Sequence, residues 1–129
     1  MKKKLTFMTA AVLSICLLTS CLHHGRHHHN INISISESGN IYKLNAEYNE
    51  DKTGKVQRYI NRQIEPNGLF GSTEDYFDVT TELKDRTKFY IKASPGKLVI
   101  KLNKQENSYA SYARIKNMCE GVAGILKEN

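Results

Sequence analysis

The sequence lacks histidine everywhere beyond residue 29. Residues 30–129 are therefore without the commonest general base and without the usual base partner of a serine or cysteine nucleophile. Tryptophan is absent throughout the chain, and no internal repeat occurs. The stretch 68–73 contains two glycines but lacks the Gly-Lys-Ser/Thr ending of a phosphate-binding loop. The lack of histidine argues against triad hydrolases, and the lack of the Gly-Lys-Ser/Thr ending argues against phosphate-loop enzymes.

The acidic residues give little support for catalysis either. Asp75, Asp78 and Glu82 lie close together in the sequence. In an extended strand Asp78 and Glu82 share a face but lie two pleats apart, which is too far for a carboxylate dyad. A small hydrolase stays the least supported alternative, because nothing in the sequence selects a catalytic pair and so short a chain rarely builds a deep pocket.

The first 21 residues have the three-part plan of a secretory signal. Lysines occupy positions 2–4, an uncharged run spans residues 5–18, and small residues then lead into Cys21. The uncharged run is shorter than the ~20 residues that a membrane-spanning helix needs. Its ending, Leu18-Thr19-Ser20-Cys21, resembles the lipobox of bacterial lipoproteins.

The lipobox resemblance implies a permanent membrane attachment. Cleavage would remove residues 1–20, and Cys21 would carry a diacylglycerol thioether, usually with a third acyl chain on its amine. Two or three acyl chains are enough for stable anchoring. The alternatives are an ordinary secretory peptide that is cut elsewhere and an uncleaved anchor helix. The His-rich stretch from His23 argues against the anchor helix, because it ends the apolar run.

The resemblance also predicts a location. Leu22-His23-His24 lacks the acidic cluster that some bacteria use to export lipoproteins to the cell surface. Position 22 is also not the aspartate that retains some lipoproteins at the inner membrane. We therefore expect an outer-membrane protein that faces the periplasm, if the cell has two membranes.

The part that remains after cleavage is small and mildly basic. Three of the 19 basic residues precede Cys21, so residues 21–129 carry 16 basic and 13 acidic side chains. This balance gives no argument for a nucleic-acid partner. With Cys21 lipidated, Cys119 has no cysteine to pair with inside the chain. Cys119 lies on an apolar helical stripe, which favours a small buried side chain over a nucleophile.

The segment 21–29 is predicted to be a His-rich tether. Neutral imidazole is a common ligand of transition metals, so this composition suggests weak binding of zinc, copper or nickel. The interpretation that we favour for the tether is a polar spacer that gains charge as the pH falls toward ~6.5 and then contacts anionic head groups. The candidate metal ligands are His23, His24, His27, His28 and His29.

Residues 30–129 are predicted to form one α+β domain. Apolar and polar residues alternate at 31–36, 42–48, 77–83, 88–93 and 97–102, which predicts five strands. Helical spacing at 56–64 and 112–126 predicts two helices, the first capped within 49–51 and the second by Asn107 or Ser108. The order β-β-α-β-β-β-α favours an antiparallel sheet with both helices packed on one face and the other face wet.

Two details of packing follow from the same patterns. The turn at Ser94-Pro95-Gly96 should place Ala93 opposite Leu98 and Ile91 opposite Ile100. Gly121 and Gly124 weaken the last helix, and a close approach of that helix to the sheet or fraying near the C-terminus would explain them.

The outer face of the last hairpin is one possible partner surface. Lysines 88, 92, 97 and 101 surround Tyr90 there and could contact an acidic polymer or anionic lipid. From the sequence alone we favour a solvated face whose lysines prevent edge pairing and are partly neutralised by Asp78 and Glu82, because mixed charge is the norm for surfaces. The residues proposed as contacts are Lys88, Tyr90, Lys92 and Lys101.

The loop at 67–72 is a second possible partner surface. Leu69 and Phe70 lie between glycines and could contact a partner. Such residues more often fold back and close the edge of the core, and we favour that arrangement.

The sequence as a whole predicts a lipid-anchored, non-catalytic domain of the cell envelope with a protein-binding or structural role. Its partners would be the membrane, through lipid on Cys21, and an envelope protein, with no nucleic acid. Metal binding by the His-rich tether is the alternative, and a small anchored hydrolase comes last. No cofactor is expected beyond a weakly bound transition metal ion.

Overall fold

The computed structural model describes residues 31–66, 68–71 and 76–128, which form five strands and two α-helices. Short 3₁₀ turns at Glu50–Lys52 and Lys104–Glu106 precede the two helices. The elements are β1 (Asn32–Ser38), β2 (Ile41–Glu47), α1 (Thr53–Gln63), β3 (Phe77–Glu82), β4 (Lys88–Ser94), β5 (Lys97–Asn103) and α2 (Tyr109–Lys127). The predicted α+β class and element order are confirmed.

The five strands form one antiparallel sheet in the order β1-β2-β5-β4-β3. The β4–β5 hairpin has the predicted register, with Ala93 opposite Leu98 and Ile91 opposite Ile100. Its turn needs glycine at position 96, where φ is +76° and an added Cβ would lie 2.8 Å from the Tyr48 carbonyl oxygen. The Gly96 N–H also donates to Thr53 Oγ1 at 2.9 Å, which ties this turn to the start of α1.

The core lies between the sheet and the two helices. Every second residue of the central strands is sealed from solvent, because strand side chains alternate between the two faces. The helices contribute apolar stripes with the predicted spacing. Burying each large side chain contributes about 1.5–3 kcal/mol. The fully buried residues include Leu44, Ile60, Ile91, Leu98, Ile100, Leu102, Ile115, Val122 and Leu126.

Helix α2 begins where the sequence predicts. Ser108 Oγ accepts a hydrogen bond from the Ser111 N–H at 3.0 Å, so Ser108 is the cap. Asn107 has another role, because its side chain exchanges hydrogen bonds with the Lys88 backbone at 2.8 and 2.9 Å. Cys119 is fully buried in the predicted stripe, and this burial raises the pKa of its thiol to about 12.

Two expectations about packing need correction. Gly121 lets α2 approach α1 rather than the sheet, since a Cβ there would meet Tyr59 Oη at 1.8 Å. The alternating isoleucines of β1 are also less buried than a half-buried strand predicts. Ile33 is partly buried against the core, but Ile35 and Ile31, which precedes β1, are 42% and 38% exposed, because an edge strand has a neighbouring strand on one side only.

Candidate functional site

The face of the sheet opposite the helices, here called the open face, collects polar and basic side chains. One row across the strands runs Ser36, Lys43, Lys101, Tyr90 and Thr80, and the next runs Ser34, Asn45, Val99, Lys92 and Asp78. Most of these side chains are exposed, and Lys43, Tyr90 and Val99 are half-buried. In the described ranges both helices lie on the other face. The open face is therefore accessible across all five strands.

Lysines dominate the centre of the open face. Lys43, Lys92 and Lys101 come from the three central strands, and Lys97 lies at the start of β5. None of these four amines lies within 4.0 Å of a carboxylate oxygen on any residue that the structure describes. In the strand register Lys92 lies opposite Asp78 and Lys97 lies opposite Glu47, which partly compensates these two charges. Neither Lys43 nor Lys101 lies opposite an acidic residue.

Two of the lysines lie directly opposite one another. Lys43 of β2 pairs with Lys101 of β5 in the antiparallel register. Just beyond the two ends of β2, the Lys104 N–H donates to the Asn40 carbonyl and the Tyr48 N–H donates to the Gly96 carbonyl. Because hydrogen-bonded residues alternate along a strand, the even-numbered residues of β2 are the ones whose backbone groups bond to β5. The Lys43–Lys101 pair is therefore a non-hydrogen-bonded one, in which side chains lie closest. Like charges in this position destabilise a sheet.

Tyr90 organises the neighbouring side chains. Its hydroxyl donates a hydrogen bond to Asp78 Oδ1 at 2.8 Å, and this bond raises the pKa of the Tyr90 phenol. Lys101 Nζ lies 5.5 Å from the centre of the Tyr90 ring, in cation–π contact. Asp78 therefore contacts Tyr90, whereas Lys101 contacts only the ring face.

Asp78 and Glu82 do not come together as a catalytic pair on the open face. Asp78 and Glu82 are both exposed and lie four residues apart on β3. That spacing corresponds to ~13 Å along a strand, which exceeds the ~5–9.5 Å between the carboxyl groups of glycosidases.

Lys88 lies at the rim of the open face and differs from the central lysines. It pairs with Glu106 at 3.7 Å, and its backbone is held by Asn107. Both side chains of the Lys88–Glu106 pair are about half exposed, so the pair contributes little to stability.

The loop with Leu69 and Phe70 is fastened to α1. Asn61 Oδ1 accepts hydrogen bonds from the backbone N–H groups of Leu69 and Phe70 at 2.8 and 3.0 Å. Asn61 Nδ2 donates to the Phe70 carbonyl at 2.8 Å. The Phe70 ring is buried and packs edge-to-face on Phe77, whereas Leu69 is half-buried. This burial favours the alternative in which the loop closes the core.

A shallow groove of about 580 Å³ lies beside the start of α1. Its charged lining residues are Glu50, Asp51, Lys55 and Arg58. With two acidic and two basic side chains, the groove has no charge preference for an anion or a cation.

The remaining predicted site residues lie outside the described residues. Cys21 and the histidines at 23, 24, 27, 28 and 29 precede residue 31, so lipidation and metal binding there stay predictions. Within 31–66, 68–71 and 76–128, no group of three or more His, Cys, Asp or Glu side chains could hold a metal ion. Neither α1 nor α2 is long and apolar enough to cross a membrane.

Sequence reasoning missed Lys43, Asn45 and Asn61. The alternation of β2 placed Lys43 and Asn45 on a polar face, but only the β2–β5 pairing places them beside Lys101 and Val99. Asn61 lies on the polar side of the α1 pattern, and nothing in the sequence marks it as the anchor of a loop.

Known proteins give no guide to this chain. No family model matches it, and no curated protein or solved structure matches it either. Its function has to be inferred from its own residues and their geometry.

Proposed function

We propose that this chain is a lipid-anchored, non-catalytic domain of the cell envelope that binds an acidic surface of a protein partner through its open face. The main support for the binding role is the cross-strand pair of like charges at Lys43 and Lys101. A pair of this kind lowers stability, and a carboxylate placed between the two amines would remove that cost.

The position of the lysines supports binding over protection of a sheet edge. Lysine is often placed on edge strands, where it prevents pairing with another chain. Here β5 and β4 are internal strands, with β2 on one side and β3 on the other. Edge protection therefore does not explain Lys92 or Lys101.

The support for the anchor is the lipobox resemblance at residues 18–21. The domain begins at Ile31, ten residues after Cys21. Ten extended residues reach at most ~36 Å, so lipid on Cys21 would hold the domain within this distance of the bilayer. An envelope protein is therefore the kind of partner that the domain could meet.

The anchor is tested by the mass of the mature protein from its native host. We expect a chain that begins at Cys21 and carries two or three acyl chains, and we expect Cys21→Ser to abolish both cleavage at this site and membrane retention. A different first residue, or a mature chain without fatty acyl mass, would contradict the anchoring proposal.

The binding role is tested with the full chain and an acidic probe, immobilised poly-glutamate. Lys101→Glu, which reverses one charge of the Lys43–Lys101 pair, should lower retention of the chain on the probe. Lys116→Glu on the outer side of α2 is the matched control and should leave retention unchanged, because Lys116 does not belong to the open face. Equal losses from both variants would show a net-charge effect and would overturn the assignment of the site.

Metal binding by the His-rich tether is a second candidate, favoured by five histidines within residues 23–29. Replacing all five by serine should remove binding of nickel or zinc by the full chain. If the metal content and metal tolerance of the host do not change, metal binding is not the selected role.

A further inference from the structure

The outer edge of β1 presents an unpaired strand. β1 is the first strand of the sheet, and no strand among the described residues pairs with its outer side. Six of its seven residues are exposed, and Ile33 is the exception. Exposed strand edges present unpaired N–H and C=O groups, which favour pairing with a further strand.

The backbone groups that face outward can be identified. The two-residue turn at Gly39–Asn40 makes Ser38 and Ile41 a hydrogen-bonded pair, because the residues flanking such turns exchange both backbone bonds. Because hydrogen-bonded pairs alternate along an antiparallel ladder, the backbone groups of the even-numbered residues of β1 bond to β2. The outward N–H and C=O groups therefore belong to Ile31, Ile33, Ile35 and Glu37.

The two edges of the sheet differ in charge. The β3 edge carries Asp78 and Glu82 on its exposed side, and charges of this kind discourage strand pairing. Residues 32–36 of β1 carry no charge and no proline, and β1 pairs with β2 over all seven residues without a bulge. Residues 32–36 therefore lack the charge, proline and bulge that usually protect a sheet edge.

We propose that β1 pairs antiparallel with β1 of a second copy of this chain, about a two-fold axis at Ser34, to give one sheet of ten strands. In this register every outward N–H and C=O group of residues 31–37 has a partner on the other copy. On the helix side Ile33 lies opposite Ile35 of the second copy. On the open face Ser34 lies opposite Ser34, and Asn32 opposite Ser36.

The strand itself favours a second copy as the occupant. Its uncharged centre brings no like charges together across the two-fold axis, so the strand is complementary to itself. The one charged residue, Glu37, already accepts a hydrogen bond from Tyr112 and pairs with Lys104 at 3.4 Å. Pairing would cover Ile35, which is now 42% exposed. This inference does not rest on the lipid anchor or on the open-face partner.

Disulfide cross-linking of the full chain tests the register. Ser34 would form a non-hydrogen-bonded pair with its own copy, with the Cα atoms ~4.5 Å apart and within the range for a disulfide. We expect Ser34→Cys to give a disulfide-linked dimer on mild oxidation of the purified full chain, beyond any dimer of the unsubstituted chain. Asn32→Cys and Ser36→Cys alone should give none, because each would lie ~14 Å from its own copy. The double variant Asn32→Cys/Ser36→Cys should cross-link.

Thr80→Cys is the matched control, since it is also exposed on the open face but lies on the β3 edge. The proposal is overturned if Ser34→Cys folds, as judged by circular dichroism, and does not cross-link. It is also overturned if Ser36→Cys or Thr80→Cys cross-links to the same extent.

A second measurement does not depend on oxidation. Sedimentation of the full chain in detergent should show a dimer, and Ser34→Lys should weaken it about tenfold or more, because two lysines would meet at the axis. Thr80→Lys should leave dimerisation unchanged. A monomer for the unsubstituted chain, or equal effects of the two lysine variants, would contradict the proposal.

Discussion

The two faces of the sheet use alternate residues of the same strands for different purposes. On β5, Leu98, Ile100 and Leu102 are sealed beneath the helices, whereas Lys97 and Lys101 are exposed on the other face. The covered face provides the core, and the open face concentrates lysines, of which Lys43 and Lys101 lie opposite no acidic residue. Because stability and the proposed binding use different residues, substitutions can separate them.

The largest expected effect is a difference in the free energy of unfolding between substitutions at two neighbouring residues that lie on opposite faces of the sheet. Ile100→Ala should lower the free energy of unfolding by about 2–5 kcal/mol, because Ile100 is fully buried and its loss leaves a cavity. Val99→Ala, one residue away on the open face, should cost less than about 1 kcal/mol. Urea unfolding followed by circular dichroism measures both. Equal losses would show that the open face also contributes to a packed core.

The next largest effect is the difference in stability between alanine substitutions at two glycines of α2. Gly121→Ala should cost about 1–3 kcal/mol, since the new methyl group would displace the Tyr59 ring between the helices. Gly124→Ala should stabilise by about 0.5–1 kcal/mol, because nothing lies within 4 Å of its Cβ position and alanine favours the helix. Thermal unfolding of the two variants should shift in opposite directions. A gain for Gly121→Ala would contradict the close packing of α1 and α2.

Much of this fold could be predicted because local patterns determine it. Alternation shows which strand residues share a face, and the Pro95-Gly96 turn determines the register of β4 and β5. Alternation alone does not tell whether a helix covers the apolar face. Ile31 and Ile35 alternate as regularly as the residues of β5, yet they are exposed.

The centre of the candidate site was harder to predict because it depends on long-range pairing. Tyr90 and Lys101 lie within one hairpin, so their proximity follows from the sequence. Lys43 lies opposite Lys101 only because β5 pairs with β2, although α1, β3 and β4 separate these two strands in the sequence. Strand order of this kind is a property of the whole packed domain and not of any local segment.

A smaller effect is expected from reversing single charges on the open face. Lys43→Glu replaces the like-charge pair with Lys101 by an opposite-charge pair, which should stabilise the protein by about 0.2–1 kcal/mol. Lys97→Glu is the matched control, because Lys97 lies opposite Glu47 and its reversal creates a like-charge pair. Chemical unfolding at low salt should show a gain for the first variant and a loss for the second. Two changes of the same sign would contradict the assigned register.

The smallest effect concerns Asp85, in the turn between β3 and β4. Burial raises the pKa of Asp85, but hydrogen bonds from the Thr87 N–H at 3.0 Å and Arg114 at 2.7 Å outweigh it, so the pKa is lowered overall. A lowered pKa contributes stability above the ordinary value for aspartate and loses it as the pH falls.

Asp85→Asn should therefore cost less than about 1 kcal/mol at pH 7, because the side chain is about half exposed. The difference from the unsubstituted protein should shrink as the pH falls through the lowered pKa of Asp85. Unfolding measured across this pH range tests it, and a difference that grows on acidification would have the wrong sign.

Site-specific photo-cross-linking in the native host tests the division between the two faces most directly. A cross-linking residue would replace Tyr90, Val99 or Asn45 on the open face, or Arg62 or Lys116 on the outer sides of the helices. The account predicts adducts with one envelope protein from the open-face positions, adducts that Lys101→Glu removes, and none from the helix positions. Adducts from the helix positions alone, or open-face adducts that Lys101→Glu leaves unchanged, would contradict it.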